Sequence, residues 1–372
     1  MAPPPHTQEF EDAIAVTPLS SHTYSANLSP QWCIGSVPHG GYTTAILHRL
    51  ATTHFKHTHP TRHHSDPMPI SMQLSFLRRT AAGPALLTVQ DAKLGARTST
   101  IHVELSQEED LPSSTTSPPS EGKKKSVKVV GYITVSDPAS EVGVSAPSDW
   151  RVYPPPPSSR PPEFVTGDDN RLVPASPWVR ISQQYSNFRL ATNHTEVFGP
   201  ADPHAGQRRR GITDQWARFR PLGEKGGQGR WTDEAVAYLI DLYPMALEAL
   251  ETSSSSSPSS KTAGGEVEKE ESNPGPFWFP TVTLNIDFKK RLPPTGVEWL
   301  YSRVTTKSVR NGRTDFDVVV LDEKGEVVAL ATQVGLVVSA MRNLSGRALP
   351  GKNKKIGGGS GGGRRSGREA KI

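Results

Sequence analysis

Three polar residues stand in otherwise apolar surroundings, and their types suit holding a water and moving a proton. Asp241 interrupts the apolar run from Val236 to Tyr243. A carboxylate is costly to bury unless hydrogen-bonded, so Asp241 is either a surface residue of a helix or a buried group able to act as a base. Gln333 interrupts Val327 to Val338. A buried amide offers both a donor and an acceptor, whereas on an edge strand it would only face solvent. Thr281 opens an alternating segment that runs to Phe288 and brings a hydroxyl. Threonine is common in strands, and Thr283, two residues on, is an equal candidate.

Other features carry less chemistry. Pro38-His39-Gly40-Gly41 leads into a helical pattern. The glycine pair either offers backbone N–H groups to a carbonyl oxygen or phosphate, or lets helix and sheet approach closely. His54, His57, His59, His63 and His64 crowd one Pro-containing stretch without a partnering carboxylate or cysteine, so no metal site is expected there. Cys33 is the single cysteine and has no evident activating neighbour; a buried structural thiol in a reducing compartment is expected. Arg208-Arg209-Arg210 is too short a basic run to define an anion site.

These residues need elements to position them, and 372 residues with 34% hydrophobic content allow two ordinary domains. The net charge of +5 comes from the end of the chain. From Gly351 to Ile372 seven Lys/Arg oppose Glu369 alone, which leaves the rest near neutral and argues against a nucleic-acid partner. No apolar run reaches the length of a membrane span, and the Pro-rich start does not read as a signal peptide, so a soluble protein with no membrane partner is expected.

Four stretches have compositions that bury little apolar surface: 107–126, 153–163, 252–274 and the Gly/Ser/Arg tail. What remains divides into two similar copies. Ile70, Met72, Leu74 and Phe76 alternate with polar residues and end in Arg78-Arg79; Val282, Leu284, Ile286 and Phe288 do the same and end in Lys289-Lys290-Arg291. Further on, Gly95-Ala96-Arg97-Thr98 and Asn311-Gly312-Arg313-Thr314 each open a strand. The separation is 212 residues from Phe76 to Phe288 and 216 from Arg97 to Arg313, a drift that one loop of different length explains. Each copy has an apolar helix upstream, Tyr42 to Thr53 and Ala235 to Leu250, the second with Thr232 or Asp233 as N-cap and a kink at Pro244. One buried helix followed by three or four antiparallel strands is an α+β module with its sheet curled around the helix.

The order of these features resembles the thioesterase-like superfamily, in particular medium-chain and peroxisomal acyl-CoA thioesterases with two fused hotdog domains. The resemblance rests on Pro38-His39-Gly40-Gly41-Tyr42, Ala237 to Leu242, Pro280-Thr281-Val282-Thr283, Glu298-Trp299-Leu300-Tyr301 and Val328 to Gln333. It implies a double hotdog: residues 1–140 with an insertion at 107–126, a Pro-rich linker at 141–176, a second hotdog at 177–345 with an insertion at 252–274, and a basic tail at 346–372. It also implies hydrolysis of acyl-CoA to fatty acid and CoA without a cofactor or metal, through a water held by Asp241, Thr281 and Gln333. His39, Gly40 and Gly41 are expected to bind substrate, with Arg78, Arg79, Lys289, Lys290 and Arg291 available to the CoA moiety.

Only the second copy carries the three residues: Thr281 matches Pro69, Gln333 matches Ile133, and no Asp or Glu occurs from His39 to His54. One site per chain follows. The alternatives are a non-catalytic acyl-CoA-binding or assembly module and a hotdog hydratase, whose Asp is followed five residues later by His; here that residue is Ala246. The resemblance allows a homo-oligomer. The terminal Ala370-Lys371-Ile372 is similar to the peroxisomal Ser-Lys-Leu address, so an import receptor is a candidate partner and the expected location is peroxisome or cytoplasm.

Overall fold

A computed structural model describes residues 5–62, 66–110, 123–146, 148–166, 172–174, 177–201, 211–221, 229–243 and 275–344. Eleven strands form the body of one antiparallel sheet. The first module contributes β1 (Thr23–Leu28), β2 (Met68–Phe76), β3 (Gly83–Leu94), β4 (Ser99–Asp110) and β5 (Lys123–Ser136). The second contributes β6 (Thr195–Pro200), β7 (Ile212–Phe219), β8 (Thr281–Phe288), β9 (Trp299–Thr305), β10 (Arg313–Leu321) and β11 (Val327–Leu336). The strand order is β1-β3-β4-β5-β2-β8-β11-β10-β9-β7-β6, with the short strands Thr17–Pro18 and Trp178–Arg180 at the two ends.

The modules join through β2 and β8. Gln73 faces Asn285, its counterpart 212 residues on, so a pseudo-twofold axis passes between them. Both strands carry a register shift at matching places, Pro69/Ser71 and Thr281/Thr283. The alternation read from the sequence holds where it matters: Leu74, Leu284, Ile286 and Phe288 are buried while Asn285 and Asp287 are exposed. Each module has four matched strands after its helix, within the three or four expected, and a fifth, β1 or β7, before it.

Three helices lie against this sheet. The first, α1 (Pro5–Ala13), places Phe10 in the core. The second, α2 (Gly40–Thr58), is longer than its sequence pattern and is buried along most of its length, from Gly41 to Phe55. The third, α3 (Asp233–Ile240), takes Thr232 as its N-cap, leaving Asp233 to accept from the Leu292 amide at 2.9 Å. The helix expected to reach Leu250 stops at Ile240. Pro244 can neither donate to the Ile240 carbonyl nor tolerate a helical residue before it, which ends the helix early. The kink expected at Pro244 lies outside the described residues. Helices and inner sheet face share one core, built around Tyr42, Leu47, Leu74, Tyr238, Leu284 and Ile286 among others.

Two expected irregular stretches are partly ordered. β4 and β5 extend through Gln107 to Asp110 and Lys123 to Ser126, pairing Glu108 with Lys125 and Glu109 with Lys124. Opposite charges set directly across an antiparallel ladder support it, a cross-strand effect that composition alone conceals. Residues 111–122 lie outside the description. In the Pro-rich linker, Phe164–Thr166 pairs with Leu172–Pro174, and Phe164 packs on Phe198 and Trp299 against the outer face of the second module. The linker therefore covers an aromatic cluster that includes Trp178 and Trp216. The insertion at 252–274 and the tail at 346–372 lie outside the described residues.

His48, in the middle of α2, is buried with neither ring nitrogen hydrogen-bonded to protein and its ring against Phe288. Burial pushes its pKa down to about 4, against the pull of Glu234. The unfolded imidazole protonates near 6.5, so between those values the unfolded chain binds the extra proton. Stability is full above the unfolded pKa and falls as pH drops toward 4, by up to roughly 3 kcal/mol from this group. Thermal midpoints measured from neutral to mildly acidic pH should fall in the wild type and fall less in His48→Leu. His39, His54 and His194, also pushed down by burial, keep part of the slope.

Candidate active site

The site forms where the end of α3 meets the start of α2. Asp241 caps the C-terminus of α3 and is buried, 5% exposed. A carboxylate beside the negative end of its own helix dipole is unfavourable, and the compensation comes from the other module. The first turn of α2 turns its N–H groups toward it: Gly41 N–H donates to Asp241 Oδ2 at 2.7 Å and also to His39 Nδ1 at 3.1 Å. The second oxygen, Oδ1, accepts from Thr281 Oγ1 at 2.9 Å and from Gln333 Nε2 at 2.7 Å. Gln333 Nε2 also lies 2.8 Å from Thr281 Oγ1 and 3.0 Å from Tyr243 Oη.

All three sequence candidates converge on one carboxylate from separate elements. Gln333 sits on β11, which is flanked by β8 and β10, and it is buried, so it is not an edge-strand residue facing solvent. Its Oε1 is buried without a protein donor. Thr281, not Thr283, reaches Asp241. The register shift between these two threonines breaks the strict alternation that would otherwise make them equivalent, and such bulges re-aim side chains.

The glycine pair has a steric role in the same contact. A Cβ on Gly40 would lie 2.6 Å from Asp241 Oδ2, and one on Gly41 2.5 Å from the Tyr238 carbonyl oxygen and 2.9 Å from Asp241 Cβ. Both readings of the pair thus apply: glycine permits the close approach, and the approach brings an N–H onto the carboxylate. The His39 side chain is mostly covered, 10% exposed, and desolvation lowers its pKa despite nearby Asp241, which favours the neutral imidazole. With Nδ1 accepting from Gly41, the ring proton sits on Nε2.

Tyr243 is a site residue that sequence reasoning missed, although it stands two positions after Asp241. Its hydroxyl meets Gln333 and its ring stacks on Phe316 at 4.3 Å. Burial, then the neighbouring Asp241 charge, push the phenol pKa upward, keeping it a neutral hydrogen-bonding group.

Asp241, Thr281 and Tyr243 form one wall of a cavity of about 340 Å³, with Gln333 bonded to Asp241 behind them; other walls include Ile34, Val37, Phe76, Leu77, Trp278 and Phe279. Gly40, His39, Arg78, Arg79 and Arg189 also line it. The basic residues after β8 are placed elsewhere. Lys290 is held by Asp322 at 2.6 Å and by Glu326, Arg291 by Asp66 at 2.6 Å and Asp233 at 3.5 Å, and Lys289 lies 3.6 Å from Asp287. Of the five basic residues expected to serve the CoA moiety, Arg78 and Arg79 reach this cavity, because the pseudo-twofold carries the equivalent strand end to the opposite side.

The pseudo-symmetric place, at the start of α3, presents Glu234 to Arg49 at 3.2 Å and packs His48 against Phe288. Ile133 and Pro69 occupy the positions corresponding to Gln333 and Thr281, and the carboxylate cradle is not repeated there.

The two-module plan is shared with known proteins. Residues 28–133 match the acyl-CoA thioesterase N-terminal domain and residues 154–337 match the acyl-CoA thioesterase C-terminal domain. The chain is also 32% identical over 350 residues to the thioesterase-like protein TwmA of Talaromyces wortmannii, covering 90% of this chain and 93% of that one. This chain belongs to the acyl-CoA thioesterase family. Its fold is similar to solved structures of a hot dog protein from Alicyclobacillus acidocaldarius (TM-score 0.57, 17% identity, 89% of this chain and 98% of that one) and of an acyl-CoA thioesterase II, TesB2, from Mycobacterium marinum (TM-score 0.51, 16% identity, 89% and 98%). The two modules are thus tandem hotdogs, and the protein is a thioester hydrolase acting on acyl-CoA. Among the described residues of this thioesterase, no helix is long and apolar enough to cross a membrane.

Proposed function

We propose that this thioesterase releases fatty acid from acyl-CoA by direct attack of a water held by Asp241, Thr281 and Gln333. The observation that carries the reading is the convergence of Thr281 Oγ1, Gln333 Nε2 and Gly41 N–H on one buried carboxylate at the wall of a largely apolar cavity. Asp241 takes a proton as the water oxygen bonds to the thioester carbon. Gln333 Oε1, buried and lacking a protein donor, accepts the water's other hydrogen. The carbonyl oxygen gains negative charge and meets His39 Nε2–H and the amide of Gly40, which has no intrahelical acceptor at the first position of α2. When the intermediate collapses, the C–S bond breaks and the sulfur takes the proton back from Asp241. The products are the free acid and CoA, and no covalent enzyme intermediate is needed.

The apolar walls take the acyl chain, and Arg78 and Arg79 at the cavity face the CoA phosphates. The Ala370-Lys371-Ile372 terminus, outside the described residues, would address the protein to the peroxisome, where acyl-CoA is metabolised; deletion of the three residues should leave a fluorescent fusion in the cytosol.

Thiol release from a panel of short, medium and long acyl-CoAs tests the reaction directly. Gln333→Leu should lower kcat by about 10²-fold, since loss of one orienting partner misplaces the water. Wild-type rates in that variant would remove Gln333 from the mechanism. Arg78→Ala with Arg79→Ala should raise KM by about tenfold with little change in kcat, an effect that shrinks as salt rises.

A further inference from the structure

The histidine-rich stretch at the end of α2 has a partner that the sequence keeps out of view. Asp91, on β3, receives three imidazoles: His54 Nε2 lies 3.0 Å from Oδ1, while His59 Nε2 at 2.9 Å and His22 Nε2 at 3.1 Å meet Oδ2. His54 and His59 come from the C-terminal end of α2, and His22 from the segment before β1. A register shift in β3 between Asp91 and Lys93 aims the carboxylate at them. The ligand-type atoms of His22, His54 and Asp91 all lie within 4.8 Å of one another. His57, on the same helix, faces the Tyr24 ring instead, and His63 and His64 lie outside the described residues.

We propose that His22, His54 and Asp91, with His59 as a further ligand, form a structural site for one divalent transition-metal ion of the zinc class. Imidazole and carboxylate are the donor set of such a site; magnesium and calcium favour oxygen donors throughout. In a tetrahedral zinc centre ligand atoms stand roughly 3.3 Å apart; the nitrogen-to-Asp91 separations are within a few tenths of an ångström of this, and the wider separations of the cluster, up to 4.8 Å, close as the ligands draw in by about 1–1.5 Å around an ion.

The surroundings supply what orients metal-bound histidines. His54 Nδ1 meets the Tyr24 hydroxyl at 2.9 Å, and Tyr24 donates to the Ser21 carbonyl at 2.8 Å, leaving its oxygen to accept from Nδ1–H. With an ion bound, that Nδ1–H···Tyr24 contact leaves the Nε2 lone pair to face the centre; without one, Nε2–H faces the Asp91 carboxylate. His22 Nδ1 meets Ser21 Oγ at 2.9 Å in the same manner. The negative end of the α2 dipole adds a preference for a cation. His54 is wholly buried, whereas the His22 side chain is 42% exposed and marks the way in.

The catalytic cavity opens at the other end of α2, a helix of 19 residues and so about 28 Å long. An ion here clips the segment before β1, the end of α2 and β3 together, and takes no part in thioester hydrolysis.

The full-length protein, stripped with a chelator and titrated with zinc, gives the test. The expected result is one zinc per chain retained through gel filtration, a thermal midpoint raised by several degrees, and unchanged thiol release. Cobalt in place of zinc should give the visible absorbance of a tetrahedral nitrogen/oxygen site. Asp91→Ala and His22→Ala should each lose the bound ion and the thermal shift; His22, being half exposed, is the variant that keeps the fold. His57→Ala should retain both. Absence of stoichiometric zinc, or equal zinc binding by wild type and His22→Ala, overturns the site and leaves three histidines hydrogen-bonded to Asp91.

Discussion

Asp241→Asn should cut thiol release from acyl-CoA by about 10³-fold, with most of the loss in kcat. General-base contributions span roughly 10²–10⁴-fold, and this carboxylate is the only proton acceptor among the three converging side chains. The substitution keeps the volume, so the helix contact survives. It also exchanges a carboxylate oxygen for an NH₂ group that must face Gly41 N–H or the Thr281 and Gln333 donors. One mismatched donor pair costs about 1–3 kcal/mol, partly offset because a buried charge disappears. The fold should therefore persist, with retained binding of a non-hydrolysable acyl-CoA analogue as the check. A variant that hydrolyses at the wild-type rate would place the chemistry elsewhere and favour an acyl-CoA-binding role for this cavity.

Gly41→Ala should be nearly as damaging for a different reason. The new Cβ would stand 2.5 Å from the backbone carbonyl of Tyr238, which cannot swing aside as a flexible side chain does. The N-terminus of α2 must then retreat from α3, and overpacking of this kind costs about 1–3 kcal/mol. The same retreat lengthens the bond from Gly41 N–H to Asp241, so activity should fall with the thermal midpoint. Gly40→Ala separates the two effects: its Cβ would meet Asp241 Oδ2 at 2.6 Å, and a carboxylate can rotate. Activity should fall there by more than stability does. Equal activity in both alanine variants and wild type would show that the helix contact does not position the base.

Much of this arrangement is legible in the sequence. The apolar alternation of Met72 to Phe76 and Leu284 to Phe288 fixed the repeat, and its 212-residue offset proves to be the register of the central strand pair. Asp241 and Gln333 could be singled out because a polar residue inside an apolar run must find partners when buried, and both did. Thr281 and Thr283 could not be told apart, since a bulge is invisible to period-two reasoning. Nor could β9 be read, its alternation being broken by the polar Ser302 on the inner side and the aromatic Trp299 and Tyr301 on the outer one. The ends of β4 and β5 looked unstructured by composition and are held by pairing across the ladder.

The charged residues divide in the same way. Arg78-Arg79 and Lys289-Lys290-Arg291 are equivalent in the sequence, yet the first pair lines the cavity and the second group is held in ion pairs. Asp91 carries no signal, lying 32 residues beyond His59 in an ordinary strand, and becomes the centre of a cluster only when β3 passes beside the end of α2.

The sequence by itself determined the two-module plan, the buried helices, and the three residues of the second copy that differ from the first, because burial and periodicity are local properties of a chain. The tertiary structure alone decided that Asp241 is cradled by the other module's helix N-terminus, that Thr281 rather than Thr283 faces it, and that Asp91 collects three histidines. Each of these depends on elements far apart in sequence meeting at hydrogen-bond distance, and no local pattern encodes such a meeting.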